Sequence, residues 1–322
     1  MIRSIEIKGL RGIREGKLDD LAPLTILVGP NGSGKSTVLD ALNIATNPIP
    51  ADAISLAIQR RVGLQIGGRW LLWRAGKLDR CTVALVTDSG GGRTFEIVKE
   101  IEDYTLTVSE PAGPKRSQGF HLNPAYQGPR EALPFSDISE VCLLDALLFN
   151  QRTPLHKLWT KASVEGQRKV VTDIIREVLP QVDTIEILTE GDSPVVHLVF
   201  EEYSIPVAMA GDGIDALLRL ALELATRSKG LVLLEEPEVH QHPGAMRQSA
   251  KAILAAARRD IQVVLSTHSL EFIDAILAAA SEEDLEKIAV FRVTLKDGIL
   301  KSFRRSGSEA LVSHSEIGND LR

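Results

Sequence analysis

A chain of 322 residues with 44% apolar and 25% charged residues has a globular composition and enough length for one large domain or two. A net charge of -6 excludes an overall basic field that would draw the protein onto DNA or an anionic membrane, so any nucleic-acid surface must be a local patch. Cys81 and Cys142 lack metal-ligand spacing, which predicts two buried thiols in a reducing compartment and no structural metal.

Residues 1–8 carry Ile2, Ile5 and Ile7 among charged neighbours, which predicts a strand rather than a secretion signal. No apolar run approaches the roughly 18 to 20 residues that span a bilayer, and a soluble cytoplasmic protein with no membrane contact is expected. Residues 24–28 form a short apolar strand that enters a glycine-rich loop, and a helix is predicted over 36–45. After Asn47-Pro48-Ile49-Pro50 the helical signal breaks, and residues 51–127 read as irregular apart from hairpin strands at 81–86 and 94–98. Residues 136–179 read as helical, with Val170, Ile174, Ile175 and Val178 on one face and Pro180 as the stop. Strands are predicted at 184–188, 195–200, 231–234, 262–266 and 288–293, and helices at 214–227, 245–259 and 270–280. Alternating strands and helices predict an α/β fold: a mostly parallel sheet flanked by helices, with an N-terminal antiparallel β lobe. The core is expected from residues 1–50 and 184–322, and 51–183 as an inserted hairpin and helical lobe. There is no internal repeat and no heptad pattern.

Three motifs carry chemistry. Gly29-Pro30-Asn31-Gly32-Ser33-Gly34-Lys35-Ser36 has the phosphate-loop pattern, two glycines five apart followed by Lys and a hydroxyl residue, between a strand and a helix. Glycine lets backbone amides and the helix N-terminus face phosphate oxygens. Lys35 would reach the β- and γ-phosphates of ATP, and the Ser36 hydroxyl would hold Mg2+. The second motif, Leu231-Val232-Leu233-Leu234-Glu235-Glu236-Pro237-Glu238, delivers two carboxylates at a strand's C-terminal end, where parallel sheets place ligands. Glu235 is placed to hold magnesium through water, and Glu236 to orient and polarise the attacking water. Without the phosphate loop the same pair would read as a solvated turn. The third motif, Leu265-Ser266-Thr267-His268-Ser269, ends another buried strand 32 positions after Glu236, which makes His268 either a sensor of the γ-phosphate or an ordinary strand-end residue.

These motifs, with Ile5-x-Ile7, Thr37 after Ser36, and His240-Gln241-His242-Pro243, resemble the RecF/OLD-type ABC ATPases, which include RecF and SMC-type heads. The resemblance covers residues 1–46 and about 195–295. It implies nucleotide and metal contacts from Lys35, Ser36 and Thr37, metal binding by Glu235, a general base in Glu236 and a switch histidine in His268. It also implies an ATP-dependent head-to-tail homodimer in which a signature loop of one copy caps the nucleotide of the other. That loop is placed at Ala210-Gly211-Asp212-Gly213-Ile214, with Gly211 where the family has serine, and a plain glycine turn opening a helix is the alternative. Glu235 replaces the family's usual Asp. Gln127 and Gln151 are candidates for the glutamine that links metal to helical lobe.

Between residues 60 and 80 stand Arg60, Arg61, Arg69, Arg74, Lys77 and Arg80 with Trp70 and Trp73 and one acid, Asp79, a composition that suits phosphates and stacked bases or a solvated hairpin. Two roles of the resembling group follow: an ATP-switched engine acting on a partner in phage defence or DNA maintenance, or a RecF-like mediator that clamps DNA. Only 54 residues follow His268 and none forms a nuclease-like acidic cluster, so an effector such as a nuclease or toxin is expected on a separate chain. The Leu-Ser-Gly-Gly-Gln loop of a transporter subunit is absent.

Overall fold

The computed structural model describes residues 1–60, 70–75, 77–99, 104–111, 113–120, 131–145 and 153–315. The chain begins with strands β1 (Ile2–Leu10), β2 (Ile13–Asp19) and β3 (Leu24–Val28), and helix α1 (Lys35–Thr46) follows the glycine-rich loop. Helix α2 (Pro50–Gln59) precedes four antiparallel strands, β4 (Arg80–Thr87), β5 (Gly92–Lys99), β6 (Tyr104–Ser109) and β7 (Arg116–Phe120). Then come β8 (Val141–Asp145), α3 (Leu155–Val164), α4 (Arg168–Arg176), and the small strands β9 (Thr184–Glu190), β10 (Ser193–Val199) and β11 (Ser204–Pro206). The last third holds α5 (Asp212–Ala225), β12 (Gly230–Glu235), α6 (Pro243–Ala257), β13 (Ile261–Thr267), α7 (Leu270–Ala279), α8 (Glu282–Glu286), β14 (Ile288–Lys296), β15 (Ile299–Ser306) and α9 (Gly307–Ser315).

Among the described residues twelve strands make one sheet, in the order β7-β6-β5-β4-β1-β2-β15-β14-β3-β13-β12-β8. The block β14-β3-β13-β12-β8 is parallel, and its strands are apolar runs because both faces are covered. All five residues of β3 and all seven of β13 are buried. Each fully buried Leu, Ile or Val side chain contributes about 1.5–3 kcal/mol, so this block anchors the loops at its C-terminal ends. One face packs on α1 through Val38, Leu39 and Leu42, the other on α6 and α7 through Ile253, Phe272 and Ile276. The antiparallel strands β7 to β1 extend the same sheet. A second, three-stranded sheet, β11-β10-β9, packs with α3, α4 and α5 around Trp159, Ile175, Leu198 and Leu217.

Four expectations are corrected. Residues 50–59 are helical: Pro50 opens α2 at a first-turn position, where its missing N–H costs nothing, and Ala53, Ile54 and Ala57 bury one face. Val141-Cys142-Leu143-Leu144 is strand β8, parallel to β12, because so short an apolar run fits either period and pairing with β12 decides it. The face of α4 is rotated by one residue, with Val171, Thr172 and Ile175 buried and Val170 half exposed. Cys81 is buried but Cys142 only partly so; burial pushes both thiols up to about 12. No helix among the described residues is long and apolar enough to cross a membrane.

Candidate active site

The C-terminal end of β3 runs into the loop with the chain turned through left-handed backbone at Gly32 (φ 78°) and Gly34 (φ 96°), conformations that glycine adopts without a Cβ penalty. Gly34 is the N-cap of α1, and no side chain caps this helix. The first-turn amides are therefore presented toward the loop, the arrangement that attracts phosphate. Lys35 is buried at the loop's base, its Nζ donating to the carbonyls of Gly29 at 2.6 Å and Pro30 at 3.1 Å. Burial lowers the Lys35 pKa, and the carboxylates of Glu236 and Glu238 act against that shift. Asn31 and Gly32 are exposed, Ser36 and Thr37 partly so, and the buried Ser33 hydroxyl has no partner among the described residues.

Strand β12 carries Glu235 at its end, and the chain then turns at Glu236, whose φ of 46° is left-handed for a residue with a side chain. Such backbone costs on the order of 1–3 kcal/mol and is held by its surroundings. Here Glu236 N donates to Ser266 O at 3.0 Å, which locks the turn onto the end of β13. The lock brings His268 Nδ1 to 3.1 Å from Glu236 Oε1, with both side chains partly open to solvent. Beneath them Thr267 Oγ1 donates to Glu238 Oε1 at 2.5 Å and accepts from Ser269 N at 3.0 Å. Glu238 is buried, its Oε2 has no partner among the described residues, and burial raises its pKa against the Thr267 bond. Gln241 ties the following turn down, donating to Pro237 O at 2.9 Å and accepting from Ser249 Oγ at 2.8 Å.

Glu235 takes part in a buried charge cluster. Arg60 places Nη1 against Glu235 Oε2 and 2.8 Å from Asp145 Oδ2, and Nη2 2.5 Å from Asp40 Oδ1. Arg11 pairs with the other oxygen of Asp40, and burial lowers its pKa. Arg60 Nη2 also donates to Ser36 O at 3.3 Å, so one guanidinium touches both the first turn of α1 and Glu235. The Ser36 hydroxyl and the Glu235 carboxylate are hard oxygen donors of the kind that suits a magnesium ion.

The turn at residues 210–213 opens α5. Gly211 has a φ of 100° with open space about it, whereas a Cβ on Gly213 would stand 2.6 Å from His240 O. The start of α5 therefore packs on the turn that follows Glu236, and Asp212 lines, with Asp145, Glu235 and His240, a small cleft.

The structure sets His268 against Glu236, whose charge is felt by Lys35, and Arg60 touches both Glu235 and the Ser36 carbonyl. The basic stretch is less coherent. Arg60 is buried and ion-paired rather than solvated, Arg80 pairs with Glu96 at 3.3 Å, Arg74 lies over Trp73 at 4.5 Å, and Trp70 is half exposed. Arg61, Arg69, Gln127 and Gln151 lie outside the described residues. Sequence reasoning missed Asp40, Asp145 and Glu238. One signal was present for Asp145: Val141-Cys142-Leu143-Leu144-Asp145 repeats the apolar-run-then-acid pattern of β12, and the register sets Asp145 beside Glu235.

The chain is similar to OLD nuclease from Thermus scotoductus, at 22% identity over 322 aligned residues, which cover 85% of this chain and 60% of that one. It is 31% identical to the uncharacterized protein MJECL11 of Methanocaldococcus jannaschii over 113 residues, 35% of this chain and 89% of that one. Among solved structures, an SMC head bound to the C-winged helix domain of ScpA superposes with a TM-score of 0.58 at 17% identity, covering 96% of this chain and 99% of that one. An SMC head with an extended coiled coil, bound to the C-terminal domain of ScpA derived from Pyrococcus furiosus, gives 0.55 at 16% identity, covering 99% of each. At such identities the likeness is one of fold, that of an ABC-type ATPase head. The AAA ATPase domain family matches residues 1–102 and 146–273, most of the sequence, and the chain belongs to that family of ATPases.

Proposed function

We propose that this ATPase is a molecular switch: two copies close head to tail around ATP, and hydrolysis reopens them and changes the state of a separate effector. Within each site Ser36 and Glu235 hold Mg2+, Glu236 polarises the attacking water, and His268 reads the γ-phosphate. Bound magnesium supplies charge neutralisation on the phosphates. Lys35 leaves its loop carbonyls for phosphate oxygens, and Glu236, held rigidly by the Ser266 carbonyl, keeps its carboxylate where water arrives. The observation that carries this reading is the 3.1 Å contact between Glu236 and His268, which joins the base candidate to a group that a phosphate would contact.

Head-to-tail closure is supported by the start of α5. Its amides carry no side-chain cap, Gly211 is open to solvent, and Met209 beside it is 76% exposed. Similarity to OLD nuclease, of which the chain spans 60%, supports work in phage defence or DNA maintenance beside a nuclease or toxin. The test is light-scattering chromatography with ATP, magnesium and a slowly hydrolysed analogue. A mass that doubles with nucleotide supports the switch, and a mass unchanged at saturation rejects the closing dimer.

One observation favours the second reading, a RecF-like clamp on DNA: half-exposed Trp70 close in sequence to the Arg74–Trp73 stack and Lys77. With a net charge of -6 the DNA affinity expected of the switch is weak and steeply salt-dependent. Tight binding that survives raised salt and falls with Trp70→Ala would favour the clamp.

A further inference from the structure

Arg60 is the one group the sequence placed on the surface and the fold buries at the heart of the site, with no exposed side-chain area. Its guanidinium is shared among Asp40, Asp145 and Glu235, and Arg11 takes the second oxygen of Asp40. Two guanidiniums thus meet three carboxylates. Burying charge is tolerated only where every ion has a partner, and removing one partner leaves the rest uncompensated. Arg60 bridges Glu235 and the start of α1, since Nη1 touches Glu235 and Nη2 reaches the Ser36 carbonyl. A divalent cation held by Ser36 and Glu235 would draw on the negative charge of the same carboxylate that the guanidinium neutralises. Each cation weakens the carboxylate's hold on the other.

We infer that Arg60 is a positioning residue that competes with the divalent cation for Glu235, so that metal is taken up together with nucleotide and not before it; this rests on the reading of Glu235 as the metal's carboxylate. When metal arrives, Arg60 gives up Glu235 and keeps Asp145 on Nη1 and Asp40 on Nη2, so no buried charge is stranded. The exchange trades one cation for another at Glu235 and alters no covalent bond. Phosphate oxygens add ligands and negative charge on the metal's side alone, and they tip the competition. The anchor at Asp40, on the helix that begins with Lys35, holds the guanidinium close enough to return when the metal leaves.

The probe is Mn2+, followed by the loss of its free electron-spin resonance signal on titration into the full chain, with and without ADP. In the absence of nucleotide Arg60→Gln should bind Mn2+ at least tenfold more tightly than the wild type, and Arg60→Lys, which keeps the charge, should stay near the wild type. Equal Mn2+ affinity of wild type and Arg60→Gln, in a variant that still binds ADP, overturns the inference. If Arg60→Gln does not fold, Asp145→Asn gives the opposite arm: freed of one carboxylate, Arg60 holds Glu235 more firmly, and Mn2+ binding with ADP weakens several-fold, whereas no change overturns the inference. Glu235→Gln separates the two readings. Its Mn2+ affinity with ADP should fall at least tenfold; if it does not, the metal reading fails and Arg60's role with it, and if it does while Arg60→Gln matches the wild type, only Arg60's role fails.

Discussion

Glu236 and His268 stand 32 residues apart in the chain, yet His268 Nδ1 lies 3.1 Å from Glu236 Oε1, joining the ends of β12 and β13. The contact exists because Glu236 adopts left-handed backbone and its amide is pinned to Ser266 O. His268 is expected to orient the carboxylate and to sense phosphate, not to bind nucleotide unaided. His268→Ala should lower kcat by roughly 10- to 100-fold, a positioning effect below the 10²–10⁴ of a removed acid or base, with little change in KM. An unchanged kcat would remove His268 from the mechanism.

If Lys35 holds phosphate, it should matter more to affinity than to the fold, since among the described residues its Nζ donates to two loop carbonyls. Lys35→Ala should abolish measurable binding of a fluorescent ATP analogue while lowering the unfolding free energy by no more than about 1 kcal/mol, the size of an ordinary hydrogen bond. Retained affinity would show that another group holds the phosphates.

Gly213 and Gly211 differ in what a methyl group would meet. On Gly213 it collides with His240 O, a backbone atom fixed by the turn after Glu236, while on Gly211 it meets nothing but demands a left-handed φ of 100°. Gly213→Ala should therefore cost about 1–3 kcal/mol in urea unfolding and slow turnover through the displaced turn. Gly211→Ala should cost about 1 kcal/mol, and its effect should appear in ATP-dependent association.

Glu238 gives the stability a pH dependence. Burial raises its pKa above the ordinary carboxylate value of 4.5, with Glu236 adding to the shift and Thr267 and His268 opposing it. Above that value the folded chain keeps a proton that the unfolded chain has lost, so Glu238's contribution is whole at lower pH and is lost as pH rises through the raised pKa. Each tenfold difference in proton affinity is worth about 1.4 kcal/mol. Glu238→Gln, which stays neutral, should gain stability relative to the wild type between pH 5 and pH 8 in thermal unfolding. A constant difference across that range would place the Glu238 carboxyl outside the proposed environment.

Much of this was legible because periodicity and motif coincide where the sheet is buried. Residues 24–28 are strand β3 to the residue, and the loop from Gly29 to Ser36, the pair Glu235-Glu236 and His268 all lie at C-terminal ends of parallel strands or at the helix start they feed. What the sequence hid depends on tertiary pairing. Val141-Cys142-Leu143-Leu144 becomes a strand only beside β12, and Pro50 opens a helix where proline reads as a break. Arg60 sits at the end of a helix among other basic residues and near two tryptophans; only the meeting of α1, β8 and β12 reveals Asp40, Asp145 and Glu235 around it. Strand β15, with exposed Lys301, Phe303 and Arg304, has no alternation of burial and left no period to find.

The proposed switch requires that this site bind ATP and then cleave it through Glu236. Glu236→Gln keeps the shape of the side chain and a hydrogen bond to His268 but removes the base. Single-turnover measurement with radiolabelled ATP and magnesium, alongside ATP affinity by equilibrium binding, reads both halves at once. The account predicts affinity within a few-fold of the wild type, a cleavage rate lower by about 10²–10⁴, and ATP recovered intact from the complex. Cleavage at the wild-type rate with ATP bound at normal affinity would contradict it.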